Sequence, residues 1–137
     1  MSRDKIHQAF RIALEDEGWQ VTADPLYLKI GAIPIHIDLG AEKLIAAERG
    51  IEKIAIEVKT FGNTSFITAL YEAVGKYIIY RKALEFLRPG MPLYLAVPED
   101  VFKKVNKERI LRAVFIDEKI KLILYHTDLK KITSWIE

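Results

Sequence analysis

The clearest alternation of apolar and polar positions in the chain runs from Lys53 to Phe61. Branched aliphatic side chains alternate there with an alanine and two charged residues, in the order Lys-Ile-Ala-Ile-Glu-Val-Lys-Thr-Phe. A period of two predicts a β-strand whose alternate side chains share a face, so Glu57 and Lys59 should stand side by side. Burying two opposite charges is costly unless they are paired, bound to a metal or open to a cleft. This strand therefore requires a functional or structural explanation.

The residues before this strand predict a helix, a hairpin and an irregular segment. Asp4 to Gly18 has the helical period, and Gly18 is a natural stop. A turn signal at Asp24-Pro25 precedes a strand from Leu26 to Ile30, which should pair as a hairpin with Ile33 to Leu39. From Gly40 to Gly50 the chain is short of a full helix and too charged for a core strand.

The residues after this strand alternate between helices and strands. Ser65 is a good N-cap for a long helix from Phe66 to Leu87. The apolar run from Pro92 to Pro98 predicts a central strand covered on both faces, and Glu99-Asp100 opens a helical stretch. A last strand follows from 120 to 125, and the type of the terminal element, 129–136, stays open.

This order of elements predicts one α/β domain over residues 1–137. Helices that alternate with strands indicate a three-layer α/β/α arrangement around a central mixed β-sheet. The length of 137 residues, half of them hydrophobic, suits a single compact core.

Composition narrows the class of protein further. There is no cysteine, so disulfides and thiolate metal sites are excluded. The first residues are charged, and no apolar run approaches the roughly 18 residues of a membrane span, so we expect a cytoplasmic protein that does not enter the membrane. The net charge of +2 is too small for a strong non-specific nucleic-acid binder, although it permits DNA as a partner.

Asp38, Glu57 and Lys59 together resemble the core of the PD-(D/E)XK nucleases, whose fold is that of restriction endonucleases. The pattern is an aspartate near the end of one β-rich run and a Glu-x-Lys on a following hydrophobic strand. The resemblance implies that Asp38 and Glu57 hold Mg²⁺ or Mn²⁺ and that Lys59 positions the attacking water, so all three would be catalytic. It also implies that the two carboxylates lie on adjacent strands.

A closer resemblance extends over most of the chain and is to the XisH family. The motifs that carry it are Asp4-x-x-His7, Gly18-Trp19, Thr22-Ala23-Asp24-Pro25, Asp38-Leu39-x-Ala41-Glu42-Lys43-x-Ile45-Ala46-Ala47-Glu48-Arg49, Glu57-Val58-Lys59-Thr60-Phe61, Gly75-x-Tyr77-x-x-Tyr80-Arg81, Leu93-Tyr94-Leu95-Ala96-Val97 and Trp135-Ile136. Members of that family are called excision controlling factors for the fdxN DNA element. The resemblance implies an accessory role in DNA rearrangement, with DNA and an XisI-like companion protein as partners.

Lys76, Tyr80 and Arg81 occupy neighbouring turns of the long predicted helix and form a candidate nucleic-acid-binding ridge. Related nucleases often place a glutamine four residues before a tyrosine here, whereas this chain has Lys76 ahead of Tyr80. A lysine donates hydrogen bonds but cannot accept them, which favours phosphate contact over orientation of a nucleophile. In the alternative interpretation Glu72 pairs with Lys76 and Tyr80 packs in the core.

Three further residues are candidate accessory groups. His7 and Glu15 share a stripe of the first helix with Arg11, and this stripe either borders a catalytic cleft or carries an exposed Arg11–Glu15 ion pair. Glu48 either supports the site from nearby in sequence or belongs to a solvated turn.

Three hypotheses follow for function. The first is a metal-dependent DNA endonuclease or nicking enzyme that uses Asp38, Glu57 and Lys59. The second is a catalytically silent module that keeps the nuclease scaffold and acts through DNA or a protein partner, since a fold alone does not guarantee chemistry. The third treats Glu57 and Lys59 as a structural pair only. A homo-oligomer fits the hypotheses that involve DNA, because a mildly basic monomer has little positive charge with which to bind a duplex.

Overall fold

The computed structural model describes residues 3–35, 42–61, 65–128 and 130–137, and it has the predicted α/β architecture. The first half contains α1 (Arg3–Asp16), β1 (Gln20–Ala23), β2 (Leu28–Ile30), β3 (Ile33–Ile35), β4 (Glu42–Arg49) and β5 (Glu52–Lys59). The second half contains α2 (Phe66–Leu87), β6 (Leu93–Pro98), α3 (Glu99–Lys107), α4 (Arg109–Asp117), β7 (Leu122–His126) and β8 (Lys131–Ile136).

Six strands form one mixed sheet in the order β1-β4-β5-β6-β7-β8. The central strands β5, β6 and β7 are parallel, and the neighbours on each side run antiparallel. Parallel neighbours need crossover connections, which α2 supplies between β5 and β6 and the α3–α4 pair supplies between β6 and β7. The carboxyl ends of β5, β6 and β7 therefore meet at one edge of the sheet.

Helices cover both faces of this sheet, which gives the three layers. One apolar cluster joins the sheet to α1, with Phe10 and Leu14 packed against Ile56 and Ile123. The other cluster joins the opposite face to α2, α3 and α4. No helix among the described residues is long and apolar enough to cross a lipid bilayer.

Local signals explain the helix boundaries. The Ser65 hydroxyl accepts a hydrogen bond from the Thr68 backbone N–H at 3.2 Å and caps α2, which spans Phe66–Leu87 as predicted. The chain leaves α1 through Gly18, whose φ of +92° is a conformation that glycine adopts without strain. The helical stretch after β6 is two helices, because Glu108 between them has extended backbone angles.

One prediction about the segment before β5 was wrong. Residues 42–49 are not too charged for a core strand, because the charges lie at the two ends and the middle, 44–47, is fully apolar and buried. The hairpin of β2 and β3 forms as predicted, but it is a separate two-stranded sheet, and the strand beside β5 is β4. The described part of the Ile33 to Leu39 run is thus not adjacent to β5.

Candidate active site

The two faces of β5 differ in chemistry. Ile54, Ile56 and Val58 belong to the cluster under α1, whereas Ala55 belongs to the cluster under α2. Glu57 and Lys59 follow Ala55 at intervals of two, so their side chains point towards α2.

Glu57 is deeply buried in the middle of the sheet. Its exposed fraction is 1%, and both carboxylate oxygens are shielded from solvent. In register it is opposite Leu44 on β4 and Leu95 on β6, neither of which is exposed. The carboxylate therefore emerges from an apolar stretch of sheet beneath α2.

Tyr77 of α2 is fully buried and lies close enough to Glu57 for the two groups to interact electrostatically. Its hydroxyl donates to the Leu93 carbonyl at 2.8 Å and accepts from the Lys121 backbone N–H at 3.1 Å. Burial raises the pKa of Tyr77, and the negative charge of Glu57 adds a smaller increase. The phenol consequently stays protonated and acts as a hydrogen-bonding bridge between Leu93, the first residue of β6, and Lys121, which immediately precedes β7.

Lys59 is also buried, with 3% of its surface exposed, at the carboxyl end of β5. Its Nζ is 3.7 Å from Oε2 of Glu72 on α2 and 5.9 Å from the centre of the Phe61 ring. Half of the Glu72 side chain is exposed, so this ion pair links a buried ammonium group to the surface.

Glu72 was not predicted as a partner of Lys59. Sequence reasoning assigned it to Lys76, because residues four apart on a helix are neighbours. The short connection after β5 instead brings the first turns of α2 back over the end of the strand, and Glu72 reaches Lys59 there. This contact could have been predicted only from knowledge that the first turns of α2 pack over the end of β5.

An acidic pocket of about 430 Å³ lies where β6 and β7 end. The hydroxyl of Tyr125, one of its lining residues, donates to the Lys59 backbone carbonyl at 3.2 Å, which joins the pocket to the Glu57–Lys59 site. Burial raises the pKa of Tyr125 strongly, with a smaller contribution from the negative charge of Asp100. The pocket is lined by Glu99, Asp100, Lys103, Tyr125, His126, Thr127 and Asp128.

The three residues of the predicted nucleic-acid-binding ridge do not form one exposed surface. Tyr80 is 8% exposed and packs in the core under α2, while Lys76 is half-buried. Arg81 donates to the Glu118 carbonyl at 2.6 Å and stacks over the Tyr77 ring at 5.2 Å. Tyr80 and Arg81 therefore attach α2 to its neighbours.

The accessory candidates lie away from Glu57 and Lys59. His7 is buried on the α1 side, with Nε2 2.9 Å from Oδ2 of Asp24, and Arg11 donates to the same oxygen at 2.9 Å. Glu15 is exposed and 3.8 Å from Arg11, as the ion-pair alternative predicted. Glu48 is opposite Lys53, at the other end of β5 from Lys59.

Asp38 lies outside the described residues. Along the chain it precedes Glu42, the first residue of β4, by four positions, and Glu42 is opposite Lys59 in the strand register. Within the described ranges there is no group of three or more His, Asp or Glu side chains placed to hold a metal ion. The donor set of Asp38, Glu57 and the Val58 carbonyl consists of hard oxygens, which fits Mg²⁺ or Mn²⁺ in its chemistry.

The family model and the solved structures that match this chain identify the same family. The family model described as XisH protein matches residues 1–133. A crystal structure of an XisH family protein from Nostoc punctiforme PCC 73102 is similar with a TM-score of 0.89 and 38% sequence identity, covering 98% of this chain and 100% of that one.

A second crystal structure, of an fdxN element excision controlling factor protein from Anabaena variabilis, also has a TM-score of 0.89. It is 36% identical, and the match covers 98% of this chain and 99% of that one. Among proteins with curated functions, none matches the chain.

Proposed function

Because the chain belongs to the XisH family, we propose that it is an excision controlling factor that acts in site-specific DNA rearrangement through a nuclease-like centre on β5. One relative of similar structure is described as an fdxN element excision controlling factor, which supports the biological role. A role on chromosomal DNA also implies a cytoplasmic protein.

The observation that carries the proposal is the buried Glu57-x-Lys59 pair on one face of the central strand. Apolar side chains at these two positions would be the cheaper choice, since taking a charged group out of water costs several kcal/mol. Glu57 and Lys59 are 1% and 3% exposed, so the chain bears the desolvation cost of both. A chemical task for the two groups explains why that cost is accepted.

In the proposed reaction each residue has a separate task. Asp38 and Glu57, with the Val58 carbonyl, would hold Mg²⁺ or Mn²⁺. When bound, such an ion acts as a Lewis acid towards a phosphodiester. Lys59 orients the attacking water through its ammonium hydrogens and offsets negative charge that develops on the phosphate oxygens. Glu72, as the ion-pair partner of Lys59, holds that ammonium group in position.

Cleavage of supercoiled plasmid DNA with Mg²⁺ or Mn²⁺ tests this reaction. We expect nicking by the wild-type protein and its loss in Asp38→Asn, Glu57→Gln and Lys59→Met, all of which preserve side-chain size. Glu48→Gln is the matched control, because Glu48 lies at the other end of the same strand pair and should keep full activity. Equal nicking by the wild type and the three site variants would exclude the hydrolytic mechanism.

A second candidate function is a catalytically silent module that works through an XisI-like companion. The burial of both Glu57 and Lys59 favours it, because neither side chain offers a surface on which DNA could lie directly. Pull-down of the companion, combined with excision in cells, separates the two functions. A triple variant, Asp38→Asn with Glu57→Gln and Lys59→Met, should bind the companion and support excision if the module is silent, and should bind but fail to support excision if it is an enzyme.

A further inference from the structure

Helix α2 has apolar residues on its outer face as well as on its inner face. The inner face packs on the sheet through Leu70, Ala73, Tyr77 and Leu84. On the opposite side, the exposed fractions of the large apolar side chains range from 40% to 79%. We define the outer stripe by its residues Ile67, Tyr71, Gly75, Ile79 and Phe86. A solvated helix face is normally polar, whereas this face is mostly apolar and carries its charge at Lys82 and Glu85, so its composition is that of an interface.

Gly75 occupies the centre of this stripe. It is exposed, and a Cβ atom built there would have no atom within 4 Å outside its own helix. Its backbone is helical, so no turn or positive φ requires a glycine. Glycine inside a helix is less favourable than alanine. None of the residues that the structure describes accounts for a glycine at this position, whereas a helix that crosses closely over it would.

The spacing of the stripe specifies how another helix would cross. Ile67, Tyr71, Gly75 and Ile79 are four residues apart, so they form one continuous ridge on the helix surface. Ridges of this kind from two helices interdigitate at a crossing angle of about −50°, the commonest class in globular proteins. A small residue at the crossing point lets the two backbones approach closely.

We propose that the outer stripe is the interface of a homodimer, in which α2 packs against α2 of a second copy around a two-fold axis at Gly75. Gly75 lies near the middle of the 22-residue helix, so a two-fold axis there places Tyr71 of each copy on Ile79 of the other. The stripe is thus complementary to itself, which selects a second copy as the occupant. This inference does not rest on the proposed function.

The charges beside the stripe are compatible with an identical partner. Lys82 pairs with Glu85 at 2.9 Å, and Glu72 pairs with Lys59 at 3.7 Å. These two pairs are neutralised within their own chain, so they would bring no excess of like charge to a contact between two copies.

Sedimentation equilibrium of the purified full chain tests the interface. We expect a reversible dimer whose dissociation constant rises at least about tenfold in Gly75→Leu and in Ile79→Glu. Ile110→Glu is the matched control, because Ile110 is 78% exposed but belongs to α4 rather than to the stripe, and its variant should dimerise like the wild type. Circular dichroism establishes that each variant is folded. A wild-type protein that stays monomeric, or dimers unaffected by both stripe variants, would overturn the proposal.

Oxidative crosslinking gives an independent test, because the chain contains no cysteine. Two cysteines at the crossing point would lie within disulfide range, so the Gly75→Cys variant should crosslink at least about tenfold faster than Ile110→Cys. Equal crosslinking rates for the two variants would contradict a dimer centred on Gly75, even if the protein dimerises through another surface.

Discussion

The two faces of β5 show a division between stability and chemistry within a single strand. The face under α1 carries Ile54, Ile56 and Val58, all buried among apolar neighbours, and its contribution to folding is the ordinary hydrophobic one. The face under α2 begins in the same way with Ala55 but ends with Glu57 and Lys59. Equal burial with opposite chemistry fits a division of roles, in which the first face holds the sheet together and the second carries the proposed site.

The largest expected change in the free energy of unfolding comes from truncating a side chain on the apolar face of β5, the face under α1. Ile56 has no exposed surface, so Ile56→Ala should lower the free energy of unfolding by about 2–5 kcal/mol through lost burial and a residual cavity. Denaturation with urea measures this loss. The control is Ile51→Ala, because Ile51 is 99% exposed in the turn before β5 and its variant should change stability by less than about 0.5 kcal/mol. Similar losses in the two variants would contradict the assignment of stability to the α1 face.

A smaller loss in the free energy of unfolding is expected when the hydrogen bonds of Tyr77, above the charged face of β5, are removed. Tyr77→Phe keeps the ring but leaves the Leu93 carbonyl and the Lys121 N–H without the hydroxyl that joins them. Unsatisfied buried groups of this kind cost about 1–3 kcal/mol. Urea denaturation of Tyr77→Phe beside Tyr27→Phe, whose side chain is exposed, checks the prediction. No difference between the two would mean that Tyr77 contributes through packing alone.

Alkaline pH should destabilise the protein through tyrosines on both faces. Burial raises the pKa values of Tyr77 and Tyr125 above the ordinary value of 10.0, so these phenols keep their protons in the folded state when unfolded tyrosines have begun to lose them. The unfolded state then binds fewer protons, and stability that is fully present below about pH 10 falls as the pH rises beyond it. Urea denaturation at pH 9 and above should show a shallower fall in Tyr125→Phe. An identical fall in this variant would contradict the contribution of Tyr125.

The smallest expected effect is a gain in stability at Gly75. Alanine has room there and is the better helix former, so Gly75→Ala should stabilise the folded monomer by about 0.5–1 kcal/mol. Thermal denaturation at protein concentrations too low for association measures the gain, with Ala83→Gly as the reverse substitution on the buried side of α2. A loss of stability in the monomer would show that Gly75 has a structural role within the chain.

Much of the fold was predictable because its local signals agree with its tertiary contacts. The bounds of α2 follow from the Ser65 cap at one end and Pro89-Gly90 at the other. The position of β6 in the middle of the sheet follows from its uninterrupted apolar run. Strand β4 was missed because charged residues at both ends concealed its four-residue apolar centre.

The candidate site was only partly predictable, because its contacts join residues distant in sequence. The period of two was sufficient to place Glu57 and Lys59 on one face of β5. The residues with which the charged side chains pair depend on tertiary packing. Lys59 pairs with Glu72 at the site, and His7 pairs with Asp24 on the α1 side of the sheet. Local rules paired Glu72 with Lys76 and treated Asp24 as a turn residue, because neither rule contains information on how α1 and α2 lie on the sheet.

Excision of the DNA element in cells that carry the Glu57→Gln, Lys59→Met double variant in place of the wild-type gene tests the central claim most directly. These substitutions keep the size of both side chains but remove their charges, and circular dichroism establishes that the double variant is folded. We predict that the folded double variant fails to support excision. Wild-type levels of excision by the folded double variant would show that the charged face of β5 has no part in the function.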